Sequence, residues 1–149
     1  SEIAYEDIEK RHLADNTYQL LAANSKFGQY NTWTIKSTPT PAFAAKTSYS
    51  YVIAYIDKTS LIPVKIELYK HQEQLVKTIY HRKLIKHQGI WLARKMLVIN
   101  HSNQRMSQLS INKYALDIPL ADALLGKRAL TDNDYRETQM RQIRQAAIQ

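Results

Sequence analysis

From Ser50 onward, apolar and polar residues alternate in short runs, and polar turns separate the runs. The clearest run is "LIPVKIELY", in which Val64, Ile66 and Leu68 fall on one side of an extended chain and Lys65, Glu67 and Tyr69 on the other. A period of two marks a strand with one buried face. Ser50–Ile56, Val64–Tyr69, Leu75–Leu84, Ile90–Asn100 and Arg105–Ala115 read as strands, joined by "DKTS", "KHQEQ", "KHQG" and "HSNQ". Connections this short make successive strands antiparallel neighbours in a meander. Upstream, Thr17–Ala23 and Tyr30–Ser37 read as further strands around a turn at "NSKFGQ", with Trp33 and Ile35 on the side opposite Thr32 and Thr34. Pro39 and Pro41 make "TPTPAFAAK" a loop, because proline cannot donate to a sheet ladder.

The ends of the chain change period. "YEDIEKRH" is a short stretch of helix formers. "TDNDYRETQMRQIRQAAIQ" opens with Thr131 three residues before Asp134, the spacing of a capping box, and continues with Tyr135, Met140, Ile143 and Ala147 at helical intervals. "LADALLG" adds a turn of helix closed by Gly126. The expected fold is therefore a β-rich α+β domain. Its antiparallel meander carries a short N-terminal helix and a C-terminal helical tail over 131–149, and 1–149 is read as a single domain.

One pattern raises a question. In "IWLARKMLVIN", Trp91, Ala93, Leu97 and Ile99 share one side, while Ile90, Leu92, Met96 and Val98 share the other. A sheet apolar on both faces needs a cover on each, or a ligand on one. Two short terminal helices are too small to cover five or six strands.

Composition excludes more than it names. Lys plus Arg is 21 against 13 for Asp plus Glu, a net charge of +8, which points to nucleic acid, an acidic partner or anionic headgroups. Cysteine is absent, which removes disulfides, thiolate metal sites and cysteine nucleophiles. With only three glycines, at 28, 89 and 126, neither GxGxxG nor a P-loop can be written. No HExxH, GxSxG or clustered acidic pair occurs. Asp57 and Glu67 lie on neighbouring strands around a turn and read as cross-hairpin charges, not as an acid/base pair. His71 and His87 fall in turns and His81 in a strand, with too few acids nearby to converge on a metal. The expectation is a non-enzyme with no cofactor and no metal. No apolar run approaches the roughly 20 residues of a membrane span. The opening "SEIAYEDIEKRH" has no signal-peptide core and no initiator Met, so the chain reads as a trimmed or excised segment.

Several weak motifs, in order, carry a resemblance. An aromatic strand ends in Asp57-Lys58; a short turn and "LIPVKIELY" follow, then "LVKT" at 75–78, "GIW" at 89–91 and a long strand mixing basic and apolar residues. With "YEDI" at 5–8, the stretch from Tyr5 to Leu130 resembles the later portion of the outer-membrane lipoprotein-sorting protein-like family, relatives of the periplasmic carrier LolA. The resemblance implies a strongly curved half-barrel whose concave face holds acyl chains, without chemistry, in the periplasm. The ligand-facing set on that reading is Trp33, Ile35, Tyr55, Val64, Ile66, Leu68, Ile79, Trp91 and Leu97. Burial alone would drive binding: at about 0.8 kcal/mol per CH₂, a fourteen-carbon chain offers on the order of 10 kcal/mol before ordering costs. The partners implied are an acyl chain or lipidated protein and an envelope membrane protein, with no nucleic acid, and a homodimer if the greasy face is left bare.

Two other readings remain open at this point. Lys65, Lys70, Lys77, Arg82, Lys83, Lys86, Arg94, Lys95 and Arg105, with Tyr69, Tyr80 and Trp91, would suit a nucleic-acid-binding β domain. A module docking a protein on an exposed sheet edge is the other. Basic residues alternating with apolar ones also read simply as a solvated face, so Lys65, Lys77 and Lys95 are expected to lie exposed. The aromatic and aliphatic stripe likewise reads as ordinary core.

Overall fold

The computed structural model describes residues 1–8, 12–112, 128 and 131–146. They fall into two compact units, Ser1–Ser110 and Ile111–Gln149. The first holds one seven-stranded antiparallel sheet in sequential order. Its strands are β1 (Asn16–Phe27), β2 (Tyr30–Pro39), β3 (Tyr51–Asp57), β4 (Pro63–Lys70), β5 (Gln74–His87), β6 (Ile90–Asn100) and β7 (Arg105–Ser110). A four-residue helix α1 (Tyr5–Ile8) precedes the sheet, and α2 (Pro41–Ala44) links β2 to β3. In the second unit α3 spans Asn133–Ala146.

The meander expected from Ser50 onward is present, and it begins two strands earlier. Two local expectations are corrected. β1 runs through "NSKF" to Phe27, absorbing the extra residues as irregularities between Leu20 and Ala22 and between Ala22 and Ser25, so the turn is only Gly28-Gln29. Gly28 takes φ 57, which glycine reaches without a side-chain clash. "TPTPAFAAK" is not all loop, because Pro41 at the first helical position starts α2. The N-terminus of α3 is capped by Asp132, whose Oδ1 accepts from the Tyr135 amide at 2.9 Å. The Asp132 carboxyl is held below its ordinary pKa by that amide and, after it, by Arg128 at 3.4 Å. The helical turn expected at "LADALLG" and the end of the Arg105–Ala115 run lie outside the described residues.

Register assigns every side chain to a face, since residues directly opposite share one. Thr32, Thr34, Tyr55, Lys65, Glu67, Thr78, Tyr80 and Leu97 line one face, here face A. Trp33, Ile35, Val52, Ile66, Leu68, Ile79, Met96 and Val98 line face B.

The core sits on face B. Tyr49, Val52, Leu68, Val76, Ile79, Met96 and Val98 form one buried cluster, with Ile3 and Ile66 packed against it. Part of the cover missing from the sequence reading is thus the chain's own N-terminal strap. Polar contacts fasten it: the Glu2 amide donates to Ser107 Oγ at 2.9 Å, and Asn100 and Asn103 donate to the Glu2 carboxylate. Thr47 and the Ser48 amide hold Glu6. Asp7, with no side-chain exposure, accepts from Lys77 Nζ at 2.9 Å and from Tyr49 Oη at 3.2 Å. Lys77 is therefore not the solvated lysine that alternation suggests: its side chain is 13% exposed. Lys65 and Lys95 are half-buried as well.

Candidate functional site

β4 alternates strictly, so its two halves meet different environments. On face B, Val64, Leu68 and their neighbour Ile79 are 1%, 0% and 2% exposed, which makes them core. On face A, the same strand presents Lys65, Glu67 and Tyr69 among aromatic rings. Tyr51, opposite Tyr69, stacks on it with ring centroids 4.6 Å apart, and Lys36 Nζ lies 4.0 Å from the Tyr51 centroid. Lys65 Nζ sits 2.6 Å from Glu67 Oε1, and Tyr69 Oη donates to Glu67 Oε2 at 3.2 Å. Lys65 also lies 4.9 Å from the Tyr55 ring and 5.8 Å from Phe27.

Phe27 reveals the curvature. Its ring is 6.3 Å from that of Tyr55 on β3 and 5.9 Å from that of Tyr80 on β5. Four strand spacings of about 4.8 Å would separate β1 from β5 by roughly 19 Å in a flat sheet. The rings meet only because the sheet curls toward face A, which is concave between β1 and β5. The irregularities in β1 are the devices that bend this hairpin inward.

The electrostatics of the concave face follow from partial burial. Desolvation opposes the Lys65 ammonium, but its contact with Glu67 outweighs that and raises its pKa. Burial, then the Glu67 charge, raises Tyr55, and the same causes push Tyr69 up to about 12. At neutral pH the floor is thus a neutralised ion pair ringed by protonated phenols, a surface that is polar in composition yet carries little net charge. Under it, Ser25 Oγ bonds Thr32 Oγ1 and Thr34 Oγ1, each at 2.8 Å, so the buried hydroxyls of that floor satisfy one another.

The nine ligand-facing residues expected from sequence do not share a face. Tyr55, Leu97 and Trp91 lie on face A, and Trp33, Ile35, Val64, Ile66, Leu68 and Ile79 on face B. The ligand-facing set left out Phe27, placed in a turn, Glu67, assigned to the polar side of β4, and Tyr69 and Tyr80, named as contacts only for the nucleic-acid alternative. The turn after Asp57 held the missing signal, because a hairpin centred there pairs Tyr55 with Lys65 and not with Ile66. Asp57 itself turns away from Glu67 and accepts from the Ser60 amide and hydroxyl at 2.8 and 2.7 Å. Three histidines bond polar groups on separate segments of the chain: His81 Nδ1 the Pro63 carbonyl, His101 Nε2 Thr78 Oγ1 and His71 Nδ1 Ser50 Oγ. Among the described residues no three His, Asp or Glu converge as metal ligands. An open depression of about 400 Å³ lies among Asn24, Ser25, Lys26, Asn31 and Lys58. Its polar lining does not suit a hydrocarbon chain.

Comparison with known proteins places this geometry. A family model described as "Uncharacterized protein" matches residues 1–132. A search of curated proteins gives no match. Among solved structures, the chain is similar to a putative outer membrane lipoprotein-sorting protein domain from Vibrio parahaemolyticus, with 22% identity and TM-score 0.74 over 93% of this chain and 53% of that one. It is similar to a DUF1329 family protein from Desulfovibrio piger at 22% identity and TM-score 0.68, over 87% of this chain and 53% of that one. A LolA superfamily protein from Nitrosomonas europaea aligns at 19% identity and TM-score 0.63, over 85% of this chain and 56% of that one. The chain spans about half the length of the solved structures it matches.

Proposed function

Because the chain belongs to the family whose model matches residues 1–132 and has the open, curved antiparallel sheet seen in the solved lipoprotein-sorting and LolA superfamily structures, we propose that it is a non-enzymatic carrier or sorting domain of the bacterial periplasm. It holds the acyl chain of a lipid or lipidated protein against face A. The observation that carries this reading is the curl of the sheet over Phe27, Tyr55 and Tyr80. Those rings, with Leu97 beside Tyr80, give a concave aromatic surface of little net charge, while the buried cluster lies on face B. Face B offers less, since Val52, Leu68, Ile79, Met96 and Val98 are already buried there, with Ile3 of the strap packed against them. Cargo would be retained by burial of CH₂ groups, at about 0.8 kcal/mol each, with aromatic rings as broad contacts. The neighbour from Vibrio parahaemolyticus, described as lipoprotein-sorting, agrees with this class of cargo.

The test is titration with a fluorescent fatty-acid analogue. Leu97→Asp and Tyr55→Asp on face A should each weaken binding about tenfold or more, because a carboxylate must be desolvated under the chain. Leu20→Asp, at an exposed position on face B, should leave affinity unchanged. Circular dichroism screens for folding defects. No binding by the wild type, or equal loss from the Leu20 and Leu97 variants, would overturn the assignment.

A further inference from the structure

Beyond the cargo face, the end of the sheet formed by β5 and β6 has a structure of its own. Pairing of β4 with β5 stops at Lys65–Tyr80, and pairing of β6 with β7 stops at Lys95–Ser110. β5 and β6 continue together for four more paired rows, Leu84–Ala93, Ile85–Leu92, Lys86–Trp91 and His87–Ile90. The result is a two-stranded arm reaching roughly 16 Å past the Arg82–Lys95 row, five residues at about 3.3 Å each. A two-residue turn closes it, with Gln88 at φ 49 and Gly89 at φ 83. Among the described residues the tip is open: a methyl group built on Gly89 would meet no atom within 4 Å, and Ile90 is 45% exposed.

Charge sets this arm apart. Between Gln74 and Ser110 the sequence has seven Lys or Arg and no Asp or Glu. The acids of the N-terminal strap reach only the far end of these strands, where Asp7 meets Lys77 and Glu2 meets Asn100. Arg82, Lys83, Lys86, Arg94 and Lys95 fall at the arm and its base, interleaved with Leu84, Ile85, Ile90, Trp91 and Leu92. Lys86 Nζ lies 6.0 Å from the Trp91 ring, a cation and an indole side by side.

We propose that the β5–β6 arm docks on an anionic membrane surface, placing Ile90 and Trp91 at the headgroup boundary and the exposed Arg82, Lys83 and Lys86 among the phosphates. Basic side chains near such a surface each add attraction, and indole rings favour the boundary between headgroup and hydrocarbon. A nucleic-acid surface fits less well, because stacking needs aromatic faces and the arm offers only Trp91 among aliphatic neighbours. An acidic protein would read one side of the ribbon, whereas apolar groups here occupy both: Trp91 on one, Ile85 and Leu92 on the other. A bilayer boundary surrounds a tip on all sides.

The experiment is co-sedimentation of the cargo-free chain with phosphatidylglycerol and phosphatidylcholine vesicles. Trp33→Phe, which leaves Trp91 as the remaining one of two tryptophans, serves as a fluorescent reporter. Binding to phosphatidylglycerol alone, weakened by salt, about tenfold or more weaker in Lys83→Glu/Lys86→Glu, and accompanied by a blue shift of Trp91, is the expected result. Absence of co-sedimentation, insensitivity to the charge reversal, binding without a Trp91 shift, or preferential retention by an oligonucleotide would each overturn it. Should Trp33→Phe fail to fold, Ile90→Asp in the wild-type background decides, since undiminished co-sedimentation refutes docking through the tip. Cargo binding is measured separately with the fatty-acid analogue, so failure of one reading is distinguishable from failure of the other.

Discussion

Replacing Lys77 by Met should cost the protein about 3–5 kcal/mol, although sequence alternation alone assigns this lysine to a solvated face where even charge reversal would cost under about 0.5 kcal/mol. The larger figure follows from Asp7. Its side chain has no exposure and takes three donors: Lys77 Nζ at 2.9 Å, Tyr49 Oη at 3.2 Å and the Ala4 amide at 2.8 Å. Removing the ammonium leaves a buried carboxylate with two neutral donors and no counter-charge. The chain has one escape, which is to release the strap and hydrate Asp7. That route forfeits the burial of Ile3, about 1.5–3 kcal/mol, and the hydrogen bonds of Glu2 to Ser107, Asn100 and Asn103, about 1 kcal/mol each. Both routes arrive at a loss of several kcal/mol, and they differ in what moves. Urea unfolding followed by circular dichroism measures the loss, and hydrogen exchange of residues 2–7 tells release of the strap from a strained closed state. The double variant Asp7→Leu/Lys77→Met should return to within about 1 kcal/mol of wild type, because an apolar pair of similar volume avoids desolvating either charge. A Lys77→Met protein within about 0.5 kcal/mol of wild type would refute the argument and restore the solvated reading.

Leu68→Ala, at a side chain with 0% exposure in the centre of the cluster, should cost about 2–5 kcal/mol by the same urea assay, against under about 0.5 kcal/mol for Leu61→Ala, which is 66% exposed. Stability should fall with rising pH above about 10. The phenols of Tyr49, Tyr55 and Tyr69 and the ammonium of Lys77 have folded pKa values raised above their ordinary 10.0 and 10.5, so their contribution is present below those values and lost as pH climbs through the folded ones; a flat alkaline limb in thermal melts would contradict the burial of these groups. At α3 the sign reverses. Asp132 has a lowered pKa, so its capping holds above the ordinary 3.8 and fades as pH falls through the folded value; Asp132→Ala should reduce helical ellipticity at pH 7 and remove that acid dependence.

Much of the fold was legible in the order of runs and turns. Period-two alternation located β3 to β7, and short polar connections dictated their antiparallel order, because backbone geometry leaves adjacent strands no other arrangement when two to five residues join them. β6 was bounded at Ile90 and Asn100 from sequence alone. Local signals were weaker wherever the chain departs from regular pairing. "NSKF" carries turn-forming Asn and Ser, yet it stays in β1, where Ser25 bonds Thr32 and Thr34 and Phe27 packs on Tyr55 and Tyr80.

Alternation divides residues into two sets but does not say which sets from different strands coincide, since a one-residue shift of register exchanges the faces. Hence Tyr55 and Ile66 looked like one stripe and lie on opposite sides, while Phe27, Tyr55 and Tyr80, drawn from three strands, form the concave surface. The cover of the greasy face of β4 was likewise undecidable from pattern. Ile3, Asp7 and Lys77 are separated by up to 74 positions in sequence, and only the folded chain brings them together. The sequence by itself settled the strand order, the excess of positive charge and the absence of cysteine chemistry, all of which are local or additive properties. Curvature, face and cover are properties of long-range register, and those belonged to the tertiary structure.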